Sequence, residues 1–380
     1  MDGKQGVTTR IASVEPLSEN KEFLTRQLIT YIGNKRALLA LIGEGVAHAR
    51  RRLNKRKLSM FDVFSGSGIV ARYFKQFSEL LIVNDLEKYS AVINECYLTN
   101  KDALNMDVLH TYYHAVLEEV GRGLRKGIIS ELYAPQNDAH IKAGERAFYT
   151  SRNARYIDTV RQVIEALPPA MRKYFLAPLL SEASIHANTA GVFKGFYKNK
   201  ETGAGQFGGL QRHALGRITG DITLPFPVFS NFNCETVVCS GDSNTIIGDL
   251  PEVDIAYVDP PYNQHPYGSN YFMLNVIVDY NYPERTSAIS GIPEGWNRSH
   301  YNKAKESLKT LAHLVEHIKA RYVIVSFNSE GFISCTEMKD MLAKTGKVDV
   351  LETTYNAFRG SRNLRNRGRH VKEYVYVLEK

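Results

Sequence analysis

The sequence predicts an α/β protein built on a doubly wound, mainly parallel sheet. Two short apolar runs, 58–64 and 80–83, are each followed by a helix-like segment, and such alternation is typical of successive βαβ units. The first run ends in Ser65-Gly-Ser-Gly68 and the second in Asn84-Asp85. A glycine-rich turn between a strand and a helix is typical of nucleotide-binding sheets, so the expected architecture is Rossmann-like.

The other predicted elements follow from hydrophobic periodicity. Apolar residues at helical spacing follow a loop at 31–35 and predict a helix that extends to about residue 48. Strand patterns stop after about residue 100, and helices are predicted at 102–124, 153–167 and 170–186. Strand patterns then return at 235–238, 254–258, 322–326 and 373–378, with a helix at 303–319.

The spacing between the two halves of the sheet predicts an inserted domain. Asp259 lies 193 residues after Gly66, whereas three βαβ steps of about 30 residues each need only about 90. We therefore predict a sheet domain formed by 1–103 and 231–380 and an inserted, mostly helical domain at 104–230.

Composition and charge narrow the classes of function. Lys and Arg number 48 against 40 Asp and Glu, a net charge of +8 that suits a polyanionic partner without proving one. Basic clusters lie at 50–57, 194–217 and 359–372.

The sequence has neither a long apolar run nor an apolar N-terminal segment, so we expect a cytoplasmic protein without a membrane partner. Four cysteines without a Cys-x-x-Cys pair argue against a disulfide scaffold and a zinc site, and we expect them to be buried packing residues.

The glycine-rich turn and the next strand end predict a cofactor site. Gly66-Ser-Gly-Ile-Val-Ala71 matches the Gly-x-Gly-x-x-Gly/Ala pattern, and Asp85 follows 19 residues after Gly66. A carboxylate at that distance hydrogen-bonds a ribose in such folds. The pattern indicates a cofactor that contains adenosine, and it leaves both a nicotinamide dinucleotide and S-adenosylmethionine open.

The tetrapeptide Asp259-Pro260-Pro261-Tyr262 closes the apolar run 254–258, at a strand end where open α/β sheets place their active sites. Its prolines stiffen the backbone, so the Asp259 side chain and the Pro260 carbonyl can act as two fixed acceptors. Tyr262 offers a flat face for stacking. This set suits an exocyclic amine on an aromatic ring, because two acceptors favour the tetrahedral nitrogen that attack requires.

These segments carry a resemblance to a known family. Tyr31-Ile-Gly-Asn-Lys35, Phe61-Asp-Val-Phe-Ser-Gly-Ser-Gly68, Asn84-Asp85 and the tetrapeptide, in that order, resemble the DNA adenine-N6 methyltransferases of the Dam-like alpha class. The resemblance implies S-adenosylmethionine as cofactor. It also implies the cofactor-binding residues, with Asp85 at the ribose, Asp242 at the adenine and Tyr31 and Lys35 at the methionine end: Tyr31, Lys35, Asp62, Phe64, Gly66, Gly68, Asp85 and Asp242.

The same resemblance implies a reaction and its partners. Methyl transfer would proceed by direct displacement to N6 of a flipped adenine, with Asp259, Pro260, Pro261 and Tyr262 at the catalytic site and without a metal. The segment 104–230 would be the target-recognition domain. We expect double-stranded DNA as partner, a nucleoid-associated location, and a cognate restriction endonuclease that acts on the same site. The candidate DNA contacts are Lys194, Lys198, Lys200, Arg212, Arg362, Arg365 and Arg367.

Other functions stay open on sequence alone. An N4-cytosine methyltransferase shares the chemistry but typically has Ser at the position of Asp259, and RNA or protein-amide methyltransferases typically have Asn there. A nicotinamide-dependent oxidoreductase fits the segment 66–85 but gives no reason for the tetrapeptide. A non-catalytic DNA-binding protein on the same fold is the fourth alternative, and the intact Asp259 and Tyr262 argue against it.

Overall fold

The computed structural model describes residues 18–212, 214–356 and 370–380. Its strands are β1 Leu58–Asp62, β2 Ser78–Asp85, β3 Glu235–Ser240, β4 Val253–Val258, β5 Ala320–Asn328, β6 Lys347–Asn356 and β7 His370–Glu379. They form one sheet of seven strands in the described chain, in the order β3-β2-β1-β4-β5-β7-β6. Strands β1 to β5 are parallel to one another, and β7 runs antiparallel between β5 and β6. The predicted mainly parallel sheet is confirmed.

The helices connect the strands and cover the sheet. They are α1 Lys21–Thr25, α2 Leu39–Leu53, α3 Ile69–Phe74, α4 Lys88–Tyr97, α5 Met106–Gly121, α6 Ile128–Leu132, α7 Ser151–Glu165, α8 Pro169–Ile185, α9 Leu215–Thr219, α10 Ser243–Ile246, α11 Tyr267–Asn270, α12 Phe272–Asp279, α13 Ala304–His317 and α14 Cys335–Leu342. Short 3-10 helices lie at Arg36–Leu38, Lys101–Ala103 and His300–Asn302. Among the described residues, no helix is both long and apolar enough to cross a membrane.

Alternate residues of the strands serve two separate cores, because successive side chains of a strand point to opposite faces of the sheet. On one face, α2 and α3 pack against a set that includes Met60, Leu81, Ile255 and Ile324. On the other face, α13 and α14 pack against a set that includes Phe61, Ile82, Ala256 and Val323. Strand β4 is buried along its whole length. The sheet is therefore covered on both faces, as the doubly wound prediction requires.

Two elements near the C-terminus were not predicted from the sequence, namely α14 and β6. In the described chain, the residues of β6 up to Thr354 are exposed or half-buried, because this strand is an edge of the sheet and pairs with β7 on one side. Its apolar signal is correspondingly weak. The expectation for the cysteines was partly wrong: Cys96 and Cys234 are buried, but Cys239 on the other edge strand and Cys335 at the start of α14 are half-buried.

The segment 104–230 contains helices α5 to α9 and, in its described part, none of the sheet strands, in agreement with its predicted helical content. Its apolar side chains do not form a core of their own. Leu109, Ile157 and Leu180 belong to one cluster with Ile93 of α4 and Ile277 of α12. The helices of this segment are therefore attached to the sheet through a shared core, and the division into two domains stays a prediction.

The basic cluster at 50–57 lies far from the carboxyl ends of the strands. It spans the end of α2 and the turn before β1, and Lys55 forms an ion pair with Asp254 near the start of β4, at 2.7 Å. The five residues of β1 separate the two edges of the sheet by about 16 Å. This cluster therefore does not border the predicted site.

The shared core leads to a prediction on stability. Ile277 on α12 is fully buried, so Ile277→Ala should lower the free energy of unfolding by about 2–5 kcal/mol because a cavity remains. Urea denaturation followed by circular dichroism measures this change. The matched control is Val108→Ala on α5, since Val108 is 43% exposed, and its effect should stay within about 0.5 kcal/mol. Equal stability of the two variants would contradict the shared core.

Candidate active site

One pocket lies along the carboxyl edge of the parallel strands, where β1, β2, β3 and β4 all end. The residues predicted for cofactor binding or catalysis that line it are Tyr31, Phe64, Gly66, Asp85, Asp242, Asp259 and Pro261. The fold thus brings to one pocket side chains that are distant in the sequence.

Five other residues predicted for cofactor binding or catalysis do not line the pocket: Lys35, Asp62, Gly68, Pro260 and Tyr262. Gly68, which the resemblance places in the lining, is instead the N-cap of α3, where a Cβ would lie 2.8 Å from Asn94 Oδ1. Asp62 is the last residue of β1 and fully buried. Burial raises the pKa of Asp62 well above its usual range, and the carboxylates of Asp259 and Asp85 add to the effect.

The turn after β1 requires glycine for two physical reasons. Gly66 has a φ of +50°, in the left-handed region that favours glycine. A Cβ at Gly66 would lie 2.8 Å from Tyr31 Cε1, so the ring of Tyr31 packs directly on the backbone of the turn. The N–H of Gly66 donates a hydrogen bond to Asp85 Oδ2 at 2.7 Å. The turn, the tyrosine and the carboxylate therefore fix one another's positions.

A second carboxylate beside Asp85, that of Glu87, was not predicted from the sequence. Glu87 is 2% exposed and lines the pocket. Its Oε2 accepts hydrogen bonds from Asn275 Nδ2 at 2.6 Å and Asn297 Nδ2 at 3.3 Å. Burial raises the pKa of Asp85 to about 6 and that of Glu87 to about 7. The only sequence signal for Glu87 was an acidic residue two positions after a strand-ending aspartate.

Two aromatic rings and Asp242 form the end of the pocket next to β3. Phe64 and Tyr301 meet edge to face, with ring centroids 5.1 Å apart. The Tyr301 hydroxyl donates to Asn244 Oδ1 at 2.7 Å, and Asp242 caps α10 by accepting the N–H of Asn244. Tyr301 belongs to a group of lining residues that the sequence analysis did not single out, from the loop between α12 and α13: Asn297, Ser299, Tyr301 and Asn302.

At the opposite end, Asp259 forms a buried ion pair. Its Oδ1 lies 3.0 Å from Lys35 Nζ, and the side chains are only 16% and 3% exposed. Burial raises the pKa of Asp259 to about 6, although Lys35 opposes the shift. Burial alone would lower the pKa of Lys35, but the carboxylates of Asp259 and Glu373 outweigh it and raise that pKa well above its usual range. The ammonium therefore stays charged and favours an ionised Asp259.

Tyr262 is held beside this pair. Lys35 Nζ lies 5.6 Å from the centroid of its ring, and Phe327 of β5 packs edge to face on it at 6.0 Å. Its backbone carbonyl accepts the N–H of Phe332 at 3.0 Å. These contacts fix the ring orientation, which a stacking residue needs.

Three tyrosines form a stack above the glycine turn. The ring of Tyr31 lies 4.9 Å from that of Tyr267 and 4.8 Å from that of Tyr271, in nearly parallel planes. Tyr271 Oη accepts the N–H of Ile32 at 2.7 Å, and the Tyr267 hydroxyl donates to the Ile32 carbonyl at 3.0 Å. The loop at 31–33 is thereby fixed to the start of α11 and α12.

The charge of the lining favours a cationic ligand. Four acidic residues line the pocket, namely Asp85, Glu87, Asp242 and Asp259. Among the lining residues of the described chain there is no lysine, arginine or histidine. No group of three or more His, Cys, Asp or Glu residues in the described ranges could hold a metal ion, and the expectation of a reaction without a metal stays a prediction.

The candidate DNA contacts lie on a neighbouring segment. Lys194, Lys198, Lys200 and Arg212 are all exposed. Their segment is joined to α11 by a hydrogen bond from the N–H of Phe193 to the Asn270 carbonyl, at 2.7 Å. Arg362, Arg365 and Arg367 lie outside the described residues.

Comparison with known proteins agrees with the resemblance found in the sequence. The model of the family "D12 class N6 adenine-specific DNA methyltransferase" matches residues 31–341. The type II methyltransferase M.NlaIII of Neisseria lactamica is 29% identical over 362 residues, covering 93% of this chain and 99% of that protein. M.CviAII of Paramecium bursaria Chlorella virus 1 is 27% identical, covering 92% and 98%. M.FokI of Planomicrobium okeanokoites is 26% identical over 92% of this chain, which spans 52% of that protein.

The glycine turn can be tested directly. Gly66→Ala should lower the affinity for the expected S-adenosylmethionine by roughly tenfold or more, because strained backbone and steric overlap cost about 1–3 kcal/mol. Isothermal titration calorimetry measures the affinity. The control is Gly121→Ala at the end of α5, where a Cβ would meet no atom within 4 Å, and its affinity should equal that of the wild type. Unchanged affinity in Gly66→Ala would contradict the placement of the cofactor at this turn.

Proposed function

The chain belongs to the D12 class of N6 adenine-specific DNA methyltransferases, and we propose on that basis that its methyl donor is S-adenosylmethionine, bound in the pocket at the carboxyl edge of the sheet. The family match identifies the enzyme as one that methylates N6 of adenine in DNA. It thereby decides against methylation of cytosine N4, of RNA or of protein amides. It also decides against a nicotinamide-dependent oxidoreductase and against a DNA-binding protein without catalytic activity.

The single observation that carries the cofactor proposal is that five of the eight residues predicted for the cofactor line one pocket that contains four carboxylates. S-adenosylmethionine has a sulfonium, an ammonium and one carboxylate, so its net positive charge suits this acidic lining. We assign the ribose hydroxyls to Asp85, the adenine to Asp242 with Phe64 and Tyr301, and the methionine end to the region of Tyr31. Asp242 follows β3 and Asp85 ends β2, and these two strands are neighbours in the sheet.

The catalytic assignment rests on the geometry around Asp259. S-adenosylmethionine supplies a methyl group that the adjacent sulfonium activates for displacement. We propose that the Asp259 carboxylate and the Pro260 carbonyl accept the two hydrogens of the adenine N6 amine. This draws the nitrogen lone pair out of conjugation for attack on the methyl carbon. The C–S bond breaks as the N–C bond forms, and the proton then leaves N6 for Asp259 or water.

Lys35 and Tyr262 support this step without acting as nucleophiles. Lys35 keeps Asp259 ionised through its ion pair, so that the carboxylate acts as an acceptor. Tyr262 is proposed to stack on the flipped base. Pro261, which directly precedes Tyr262, limits the backbone freedom of the tetrapeptide. Catalysis thus comes from orientation and electrostatics.

The DNA interface is proposed on the side of the segment 104–230. Lys194, Lys198, Lys200 and Arg212 are exposed, and their segment is hydrogen-bonded through Phe193 to Asn270 of α11, the helix whose Tyr267 lines the pocket. We propose phosphate and base-edge contacts for them, and phosphate contacts for Arg362, Arg365 and Arg367. On this proposal, 104–230 reads the target sequence while the remaining chain holds the cofactor and carries out the transfer.

The names of the relatives suggest the biological role. Several are type II methyltransferases or modification methylases, so we propose that this enzyme modifies DNA at the site of a cognate restriction endonuclease. Such an enzyme would act where the DNA is accessible, which in a cell without a nucleus is the cytoplasm.

Sequencing of plasmid DNA tests the function. Plasmid from cells that express the chain should carry N6-methyladenine at one defined sequence, detected by methylation-sensitive sequencing. Asp259→Ala should abolish the modification, with a loss of turnover of about 100-fold or more because a fixed acceptor is removed, while S-adenosylmethionine still binds. The control is Asp249→Ala, at an exposed aspartate, which should methylate normally. Unmodified adenines with the wild type would overturn the proposed function.

The pKa of Asp259 predicts a pH dependence. Asp259 is a stronger hydrogen-bond acceptor when it is ionised, and its pKa is raised to about 6. Activity is thus present above that pH, and kcat/KM should fall about tenfold per unit as the pH drops below it. Lys35→Met removes the ammonium that favours the ionised form, so the acidic limb of the profile should move to higher pH. The control is Lys55→Met, at the ion pair with Asp254, where the profile should not move. An acidic limb that stays in place in Lys35→Met would contradict the role of the ion pair.

A further inference from the structure

Ile32 is an exposed apolar residue at the edge of the active-site pocket. Its side chain is 46% exposed, whereas its neighbours Tyr31 and Gly33 both line the pocket. A Cβ on Gly33 would lie 3.5 Å from Tyr262 Oη. Ile32 is therefore adjacent in the chain to a residue that borders the tyrosine assigned to the flipped base.

The backbone of Ile32 is fixed by the hydroxyl groups of two tyrosines. Its N–H and its carbonyl are both hydrogen-bonded to tyrosine hydroxyls, of Tyr271 and Tyr267 respectively. Tyr271 is fully buried, and the ring of Tyr31 stacks on both of the other rings. Because this loop is held at both backbone groups, the exposed side chain of Ile32 keeps one position. A fixed position suits a side chain that contacts a partner.

The reaction creates a need for an apolar group at this place. A flipped adenine leaves a gap in the base stack, and the base pairs beside it lose stacking. Proteins that unstack base steps commonly insert an apolar side chain such as Ile, Leu or Phe. The base that enters the pocket must pass its edge, and the remaining duplex then lies against that edge.

We propose that Ile32 is an apolar wedge that contacts the base pairs next to the flipped adenine and stabilises the opened duplex. The inference rests on the proposed function, because it needs a flipped adenine in the pocket of Asp259. It adds a positioning residue that acts on the DNA and makes no contact with the cofactor or the reacting atoms.

Ile289 offers a matched comparison. It is 65% exposed at the tip of a short hairpin that Arg146 and Tyr133 hold through hydrogen bonds to Ile289 O and Gly291 O. It has the same side chain, and its loop is also fixed, but none of the residues 285–293 lines the pocket. A general preference of DNA for exposed isoleucines would affect both positions, whereas a wedge at the flipped base would affect Ile32 alone.

The test compares two duplexes that carry the sequence found by plasmid sequencing. One is fully paired, and in the other the target adenine faces an abasic site, so that it is already unpaired. Ile32→Ala should lower kcat/KM on the paired duplex by roughly tenfold or more, since loss of the wedge leaves the unstacking uncompensated. On the duplex with the abasic site, the change should stay within about threefold. Ile32→Leu should keep most of the activity on both.

Two further measurements separate the outcomes. With 2-aminopurine at the target position, Ile32→Ala should give less of the fluorescence increase that reports flipping, while its affinity for S-adenosylmethionine stays unchanged. Ile289→Ala should behave as the wild type on both duplexes. Equal losses of Ile32→Ala on both duplexes, no loss on the paired one, or the same effect in Ile289→Ala would overturn the wedge. A wild-type enzyme that methylates neither duplex would instead overturn the proposed function.

Discussion

The ion pair between Lys35 and Asp259 joins two parts of the chain that the active site needs together. Lys35 belongs to the loop before α2, and Asp259 follows β4 in the centre of the sheet. Because both side chains are largely buried, removal of one would leave an unpaired charge away from water, which costs about 3–5 kcal/mol. The pair therefore fixes the loop at 31–35 over the sheet, and the loop in turn carries Tyr31 and Gly33 into the pocket wall.

The parallel order of the central strands then determines what the pocket contains. Strands β3, β2, β1 and β4 are neighbours and end at the same edge. The residues that follow them, Asp242, Asp85, Gly66 and Asp259, lie side by side along that edge in the same order. In the proposed function, S-adenosylmethionine would extend along this row with its methyl group next to the tetrapeptide. The distance between cofactor and target base would then follow from the strand spacing, which backbone hydrogen bonds keep constant.

The opposite wall of the pocket has a different origin. Tyr267 of α11 and Asn297 of the loop after α12 line this wall, Asn275 of α12 hydrogen-bonds Glu87, and Tyr271 belongs to the same apolar cluster as the helices of 104–230. Through this cluster, the helical segment supports Tyr271, which holds the loop that carries Ile32. In the proposed function, the segment that reads the DNA is therefore packed against elements that form the pocket, and the close-packed interior of a protein transmits displacement.

The sequence by itself determined the fold class and the residues at the strand ends, because apolar alternation, the glycine turn and the Asp-Pro-Pro-Tyr tetrapeptide are all local patterns. It missed β6, whose exposed edge position weakens its apolar signal, and Glu87, which carries no motif of its own. Gly68, which the resemblance assigns to the cofactor, lies against Asn94 of α4 in the structure, and its role at the cofactor stays a prediction. Only the tertiary structure decided that Lys35 pairs with Asp259, that Tyr267 and Tyr271 hold Ile32, and that the cluster at 50–57 lies at the far edge of the sheet. These are contacts between residues far apart in the chain, and no local spacing encodes them, since they exist only after the strands have paired and the helices have packed.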